Sequence, residues 1–379
     1  MKKVNDVSKP RHLTLRIVAF VFFFVLAVGA FAFGVVRIGQ KEDGYQSISA
    51  SVDEEEPNYA SGFALQYYFS GSSNAIKEEM KKVSEVYSAA LKRAYKLLDK
   101  NRSYEGYNNI YTLNSQQGHP VVVSDELYVV LQDAYVKTDE GAAYSLFSGA
   151  MNDHWNAFLY ADTPQEFDPS ANEEEQERLE TLAKETLNPK NFTLQFGEDN
   201  AVTFAVSDAY EKVMKRCEVE GNVLDTGALH DAYVLFIVAN ALEDAGYNKG
   251  YLTSTSGLTV ALTGQKTGKM VAYDANGEIA KEMPCVPGRT FCQYRLFPLV
   301  EGELGYFSVD GHYRSPAANP MRLDEANLSA VTLAVVPQDA VYACVKLLSG
   351  GQINEETLPA MVITKDGENM QNSQMEEIP

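Results

Sequence analysis

Residues 223–264 read VLDTGALHDAYVLFIVANALEDAGYNKGYLTSTSGLTVALTG, and this stretch decides the expected fold. A short strand is predicted to run into a tight turn at Thr226-Gly227, followed by an apolar helix that Gly246 ends and by a second, β-branched strand. The helix is almost uncharged over residues 232–239, so we expect it to be buried. Backbone N–H groups at the start of a helix are unpaired and favour an anion, so such a unit can hold a nucleotide phosphate.

Length and charge narrow the class of protein. The chain has 379 residues and 45% hydrophobic content, enough for one large or two medium globular domains. Its net charge is −20, but residues 1–41 carry seven basic residues and one acidic residue, so this segment is +6 and the remainder is −26. A body this acidic repels phosphate backbones, which argues against nucleic acid as a partner and against adsorption to anionic lipid.

The cysteines and histidines do not predict a zinc site. Four cysteines form no C-x-x-C pair, and five histidines are scattered along the chain. Cys285 and Cys292 are able to bridge in an oxidising compartment, and free buried thiols are the alternative; the sequence leaves both open.

The N-terminal region predicts a membrane anchor. Residues 17–36 form an uncharged run of 20 residues, long enough to cross a bilayer as a helix. Basic residues in the flank 1–16 outnumber those just after the run, which predicts the N-terminus inside and the bulk of the chain extracytoplasmic at the cell membrane. A cleaved signal peptide is the competing interpretation, because Ala30-Phe31-Ala32 resembles a peptidase site.

The remaining chain divides into a polar linker at 37–58, a main domain at 59–367 and a disordered tail at 368–379. The main domain is expected to be α+β, with mixed sheets flanked by helices in one domain of two lobes. The clearest helix spans about residues 74–100, with apolar residues at spacings of three and four. Residues 192–196 and 201–206 are predicted to form a hairpin.

Five strings in the same order resemble the FAD:protein FMN transferases, the ApbE family. They are LNSQQGHPVVVSDELYVVL, GAAYSLFSGAMNDHW, LDTGALHDAY, the run from 252 to 264, and LSAVTLAVVPQDAVYACVKLL. The third is similar to the family string LDLGGIAKGYA. The resemblance implies an ApbE-like fold over about residues 59–364 and FAD as the ligand. It also implies the cofactor-binding residues Gly62, Asp225, Thr226, Gly227, Ser256, Gly257 and Gly288.

The positions that carry the family's chemistry differ in this chain. Asp231 stands where the family has a lysine, and an acid there complements the helix dipole and repels a phosphate. The family's histidine and aspartate in one loop correspond to Pro316 and Asn319. The family's magnesium-binding Asp and Thr correspond to Tyr342 or Ala343 and to Lys346. Tyr144 and Leu146 replace an acid and a threonine. His312 and Asp339 are the nearest remaining candidates for a histidine and an acid.

We therefore expect no catalytic residue and no metal ligand, and these substitutions argue against bound magnesium. The favoured function is a membrane-anchored, extracytoplasmic pseudoenzyme that binds a flavin nucleotide or docks a membrane redox protein. The first alternative is an active magnesium-dependent FAD:protein FMN transferase, which would carry out protein flavinylation. The second is a structural scaffold of the cell envelope, with residues 101–118 as a contact surface.

Overall fold

The structure of this chain is a computed structural model. It describes residues 43–51, 60, 62–138, 144–264, 269–273, 279–284, 289–294, 306–308, 313–314, 330–337, 341, 360–364 and 369–371. The α-helices are α1 (Ser73–Leu98), α2 (Ile110–Ser115), α3 (Asp125–Lys137), α4 (Gly149–Leu159), α5 (Glu173–Thr186), α6 (Asp208–Arg216) and α7 (His230–Asp244). The strands are β1 (Gly44–Ile48), β2 (Phe63–Phe69), β3 (Pro120–Val122), β4 (Phe192–Phe196), β5 (Ala201–Val206), β6 (Gly250–Ser254), β7 (Leu258–Ala261), β8 (Lys269–Tyr273), β9 (Ile279–Pro284), β10 (Arg289–Tyr294), β11 (Tyr306–Phe307), β12 (Tyr313–Arg314), β13 (Ala330–Pro337), β14 (Ala360–Thr364) and β15 (Asn369–Gln371).

The chain is α+β, with antiparallel sheets flanked by helices. The largest sheet has the order β1-β2-β6-β7-β10-β13-β14-β15, and a smaller sheet has the order β3-β5-β4. Each pairing between described strands is antiparallel, so the expectation of mixed sheets is wrong. Short hairpins such as β4–β5 and β6–β7 explain this, because a tight turn joins only antiparallel strands.

The strand predicted before Thr226 does not form. The backbone groups of residues 223–225 form hydrogen bonds with other partners. Val223 O accepts from Gly149 N at 2.9 Å. The side-chain amide of Asn114 donates to Leu224 O and accepts from Leu224 N. The predicted second strand is divided into β6 and β7 by a turn in which Gly257 has φ +91°. These differences remove the strand–helix–strand unit that a parallel pairing requires.

The core lies between α1, α7 and the largest sheet. Ser72 caps α1, whose apolar stripe is buried as predicted except for the partly buried Met80. The helix packs against α7 and β2, and α7 also contacts β6 and β7. Seven of the 15 residues of α7 are buried, but Phe236 is exposed, so the burial expected over residues 232–239 is wrong at that position. The helix ends where Gly246 takes φ +83°, as predicted.

Two strands lie in segments that the sequence divides off as linker and tail. Strand β1 pairs in register with β2, from Gly44 opposite Phe69 to Ile48 opposite Leu65. Its Tyr45 ring packs on Tyr68 and Tyr251. Strand β15 pairs with β14. Both segments are short and polar on average, so only their distant partners stabilise them as strands.

Several sequence predictions fall outside the residues that the structure describes. They concern the membrane span at 17–36, Gly288, His312, Pro316, Asn319, Asp339, Tyr342, Ala343, Lys346 and the side chains of Cys285 and Cys292. Within the described ranges, none of the helices combines the length and apolar character that a membrane crossing needs.

Candidate functional site

Two of the resembling strings lie side by side. The start of α4 with the residues before it exchanges backbone hydrogen bonds with the segment that precedes α7: Gly149 N donates to Val223 O, and Asp225 N donates to Leu146 O, each at 2.9 Å. A Cβ atom at Gly149 would collide with the backbone carbonyl of Asn222. Glycine is therefore needed here for the chain to approach itself closely.

A buried lysine joins these segments to the end of α1. The Lys100 ammonium lies 2.7 Å from Asp153 Oδ2, 3.5 Å from Asp225 Oδ2 and 3.0 Å from the carbonyl oxygen of Gly149. The backbone of Lys100 is held as well, because Asn222 Nδ2 donates to its carbonyl at 2.6 Å. We call Lys100, Asp153 and Asp225 the Lys100 cluster.

The Lys100 cluster has more negative than positive charge when both carboxyl groups are ionised. The side chains of Lys100 and Asp225 are 10% and 12% exposed, whereas Asp153 is 38% exposed. Burial raises the pKa of the Asp153 carboxyl, the hydrogen bond and charge of Lys100 oppose that rise, and the charge of Asp225 adds to it. The ammonium charge is therefore already compensated, and it cannot serve a phosphate without losing its own partners.

A second polar cluster joins α3 to α7. Asp133 accepts from the Lys137 ammonium at 2.6 Å and from the Tyr233 hydroxyl at 2.8 Å. Tyr144 is fully buried, and its hydroxyl has no hydrogen-bond partner among the described residues. Burial, together with the charges of Asp225 and Asp133, raises the pKa of Tyr144 well above its usual value. The sequence resemblance predicts an acid of the family at this position, and this chain has a neutral hydroxyl there.

The predicted turn forms at the start of α7. Gly227 has φ +51°, a left-handed conformation that favours glycine, and it opens a 3-10 turn that leads into the helix. The fully buried Thr226 hydroxyl lies 3.3 Å from His230 Nδ1. A Cβ atom at Gly227 would lie 2.9 Å from Asn152 Nδ2, so the chain's own amide fills the space beside the turn. Asp231 lies in the first turn of α7, as predicted.

Three other predicted ligand-binding residues, Gly62, Ser256 and Gly257, lie at the ends of β2 and β6. Thr255 N donates to the Gly62 carbonyl at 2.9 Å, and Gly257 N donates to Ser254 O at 3.1 Å. Ser256 Oγ lies 2.7 Å from Ser254 Oγ and is exposed. The structure therefore brings Gly62, Ser256 and Gly257 together at one turn, while Asp225, Thr226 and Gly227 lie at another.

A buried ion pair fixes the short β11–β12 hairpin. Arg314 Nε donates to Asp168 Oδ2 at 3.2 Å, and both side chains are almost fully enclosed. Asp168 Oδ1 accepts from the backbone N–H of Ser170 at 2.8 Å. The contact joins β12 to the loop after α4 and has a structural role.

Sequence reasoning assigned no role to Lys100 or Asp153. Lys100 follows directly after the buried apolar stripe of α1, and that position was the one available signal. Its two carboxylate partners lie 53 and 125 positions further along the chain, as their residue numbers show. Periodicity reports only neighbours on one helix or strand, so it could not pair them.

The residues of this site do not fit a bound metal or diphosphate in their present arrangement. Within the described ranges, no three His, Cys, Asp or Glu side chains converge on one point. The carboxylates of the Lys100 cluster outnumber its cation, and Asp231 adds a further acid beside the helix start. A nucleotide diphosphate placed against these groups would meet net negative charge.

Comparison with known proteins identifies the fold. No protein-family model and no curated protein matches the sequence. Among solved structures, the ApbE protein from Thermotoga maritima is 13% identical, covers 88% of this chain and 99% of its own, and has a TM-score of 0.55. The flavin transferase ApbE from Vibrio cholerae is 11% identical, with coverages of 89% and 99% and a TM-score of 0.53. The flavinyl transferase ApbE from Pseudomonas stutzeri, in its apo form, is 13% identical, with coverages of 90% and 99% and a TM-score of 0.52.

These neighbours extend over nearly their whole lengths, so the likeness is not confined to one motif. It agrees with the order of strings found in the sequence and with the helix and sheet arrangement described above. This chain therefore has the fold of the ApbE flavin transferases.

Proposed function

We propose that this chain is a membrane-anchored, extracytoplasmic protein that binds through the ApbE fold and does not transfer FMN. The ligand is a flavin nucleotide, or the redox protein that a transferase of this fold would modify. The observation that carries the proposal is the Lys100 cluster. The buried Lys100 ammonium beside the Asp225–Gly227 turn is already paired with two carboxylates. Phosphoryl transfer needs positive charge that is free to stabilise the developing negative charge.

An active transferase is the second candidate. The fold supports it, because the neighbours named as flavin transferases match over 99% of their own chains. Against it stand Tyr144, buried and neutral where the family has an acid, and Asp231 where the family has a lysine.

One experiment separates the two candidates. The full-length chain, purified in a mild detergent, is incubated with FAD, Mg²⁺ and a flavin-acceptor domain, with a flavin transferase of the same fold as positive control. We expect no covalent FMN on the acceptor at equimolar loading. Covalent FMN on the acceptor would reject the proposal in favour of the active transferase.

A charge reversal tests where a flavin nucleotide would lie. Asp231→Lys removes the acid at the start of α7, and Asp244→Lys makes the same charge change at the end of the same helix. If the phosphates lie at the helix start, Asp231→Lys should increase the affinity for FAD on the order of tenfold. Quenching of flavin fluorescence measures the binding. Asp244→Lys should leave it unchanged. If the wild type and Asp231→Lys both fail to bind FAD, flavin binding is wrong and only docking of a protein partner remains.

A further inference from the structure

The Lys100 ammonium occupies a place with the character of a cation-binding site. Three oxygen atoms surround it within 3.5 Å: one carboxylate oxygen each from Asp153 and Asp225, and the carbonyl oxygen of Gly149. Carboxylate and carbonyl oxygens are the ligands that calcium takes in proteins, in irregular and flexible geometries. The oxygen set therefore suits a hard cation, and the chain supplies one of its own.

The three oxygens come from two segments that are far apart in the sequence. Gly149 and Asp153 belong to α4, Asp225 precedes the turn at Gly227, and Lys100 follows the end of α1. Without a cation at the centre, two carboxylates would face each other in a mostly buried place, which is strongly unfavourable. The cation thus neutralises the two carboxylates where the Asp225 segment, which backbone hydrogen bonds also hold, approaches α4.

We propose that Lys100 is a built-in replacement for a metal ion, a positioning residue that sets the Asp225–Gly227 turn against α4. The Lys100 side chain does for these oxygens what a bound divalent cation does elsewhere: it neutralises them and fixes three segments. A protein built in this way holds the turn without any metal in solution. This inference does not depend on the proposed function, because its test measures stability and not flavin chemistry.

The test is a rescue experiment on the full-length chain in mild detergent. Lys100→Ala vacates the centre and leaves the three oxygens, and Lys100→Arg keeps a positive charge. Unfolding temperatures are measured with a chelator and then with rising calcium chloride, and potassium chloride of equal ionic strength corrects for screening. Lys137→Ala is the matched control, because Lys137 has nearly the same exposure but faces a single carboxylate.

We expect Lys100→Ala to unfold at lower temperature in chelator and to be partly restored by calcium, with a half-maximal effect on the order of 1 mM. At ten times that concentration, the rise in Tm should be about 3 °C. Wild type, Lys100→Arg and Lys137→Ala should show no calcium-specific rise. Adding Asp225→Asn to Lys100→Ala should abolish the rescue.

Two results would overturn the proposal. One is a calcium response of Lys100→Ala no larger than that of Lys137→Ala, and the other is a wild-type response as large as that of Lys100→Ala. If Lys100→Ala does not accumulate as folded protein, Lys100→Gln fills most of the lysine's volume without its charge and is measured in the same way. Recovery of folded protein only in calcium supports the proposal, and failure of both variants with and without calcium rejects it.

Discussion

Lys100 and Lys137 have almost the same exposure, but their carboxylate partners differ in number and in distance along the chain. Their side chains are 10% and 11% exposed, and each lies within 2.7 Å of a carboxylate that is 38% exposed. Lys137 pairs with Asp133 one turn earlier on its own helix. Lys100 instead has partners on two distant segments, Asp153 and Asp225.

The exposed fraction of a buried lysine therefore does not predict its structural role, which depends on where its charged partners lie in the chain. The pair on α3 adds to a helix that its Ser124 cap and apolar face already specify. The Lys100 cluster brings together segments whose arrangement nothing local specifies. We therefore expect the two lysines to respond very differently to the same substitution.

The largest expected effect is the difference between Lys100→Ala and Lys137→Ala. Removing Lys100 leaves two carboxylates facing each other, so we expect the free energy of unfolding to fall by about 3 kcal/mol. Removing Lys137 should cost about 1 kcal/mol, because Asp133 keeps its hydrogen bond from Tyr233. Urea unfolding measures both values, and Lys100→Arg controls for the loss of charge. Equal losses for the two alanine variants would contradict the comparison.

A glycine beside the Lys100 cluster offers a second test. A Cβ atom at Gly149 would overlap the Asn222 carbonyl and lie 2.9 Å from both Val223 O and Asp225 Cβ. Gly149→Ala should therefore destabilise the protein by about 1–3 kcal/mol. The matched control is Gly62→Ala, whose Cβ would meet its nearest atom, Thr255 Oγ1, at an ordinary 3.4 Å. Thermal unfolding that ranks Gly62→Ala as the more damaging change would show that the close approach is misassigned.

Two buried tyrosines near Asp133 give a smaller contrast. The Tyr233 hydroxyl donates to Asp133, so Tyr233→Phe should cost about 1–2 kcal/mol. The Tyr144 hydroxyl is buried without a hydrogen-bond partner among the described residues, so Tyr144→Phe should be neutral or stabilise by up to about 1 kcal/mol. Chemical denaturation of both variants measures the difference. A clear loss of stability in Tyr144→Phe would reveal a partner for that hydroxyl.

The smallest expected effect is a pH dependence at Asp153. Its pKa is raised in the folded protein above the ordinary value of 3.8, chiefly by burial. The stability that this carboxyl contributes is therefore fully present below 3.8 and is lost as pH rises through the folded-state pKa. The stability of Asp153→Asn relative to wild type should improve as pH rises over that range. A difference that stays constant across it, in urea unfolding at several pH values, would contradict the expected shift.

Much of the fold could be predicted from the sequence because its signals are local. The apolar stripe of α1, the Ser124 cap of α3 and the hairpin β4–β5 depend on spacing and turn residues within one segment. The segment at 223–225 could not be predicted, because its backbone partners come from Gly149, Leu146 and the side chain of Asn114. A short extended run has the same appearance whether its partner is a strand or not.

The residues of the site likewise divide into those with a local sequence signal and those that depend on tertiary contacts. The turn at Gly227 and the acid at Asp231 were predicted, because a glycine turn and a helix start are local signals. Lys100 was not, since its role exists only after three segments have come together.

Strand β1 has a consequence for reach. The sequence assigns residues 37–58 to a flexible linker, yet Gly44 to Ile48 form an edge strand of the largest sheet. If residues 17–36 lie in a bilayer, as we propose, the linker between the membrane and strand β1 is residues 37–43. Seven residues extend at most about 25 Å. A domain on so short a linker stays within that distance of the bilayer surface. A protein that binds it must therefore present its contact surface within the same distance of the membrane.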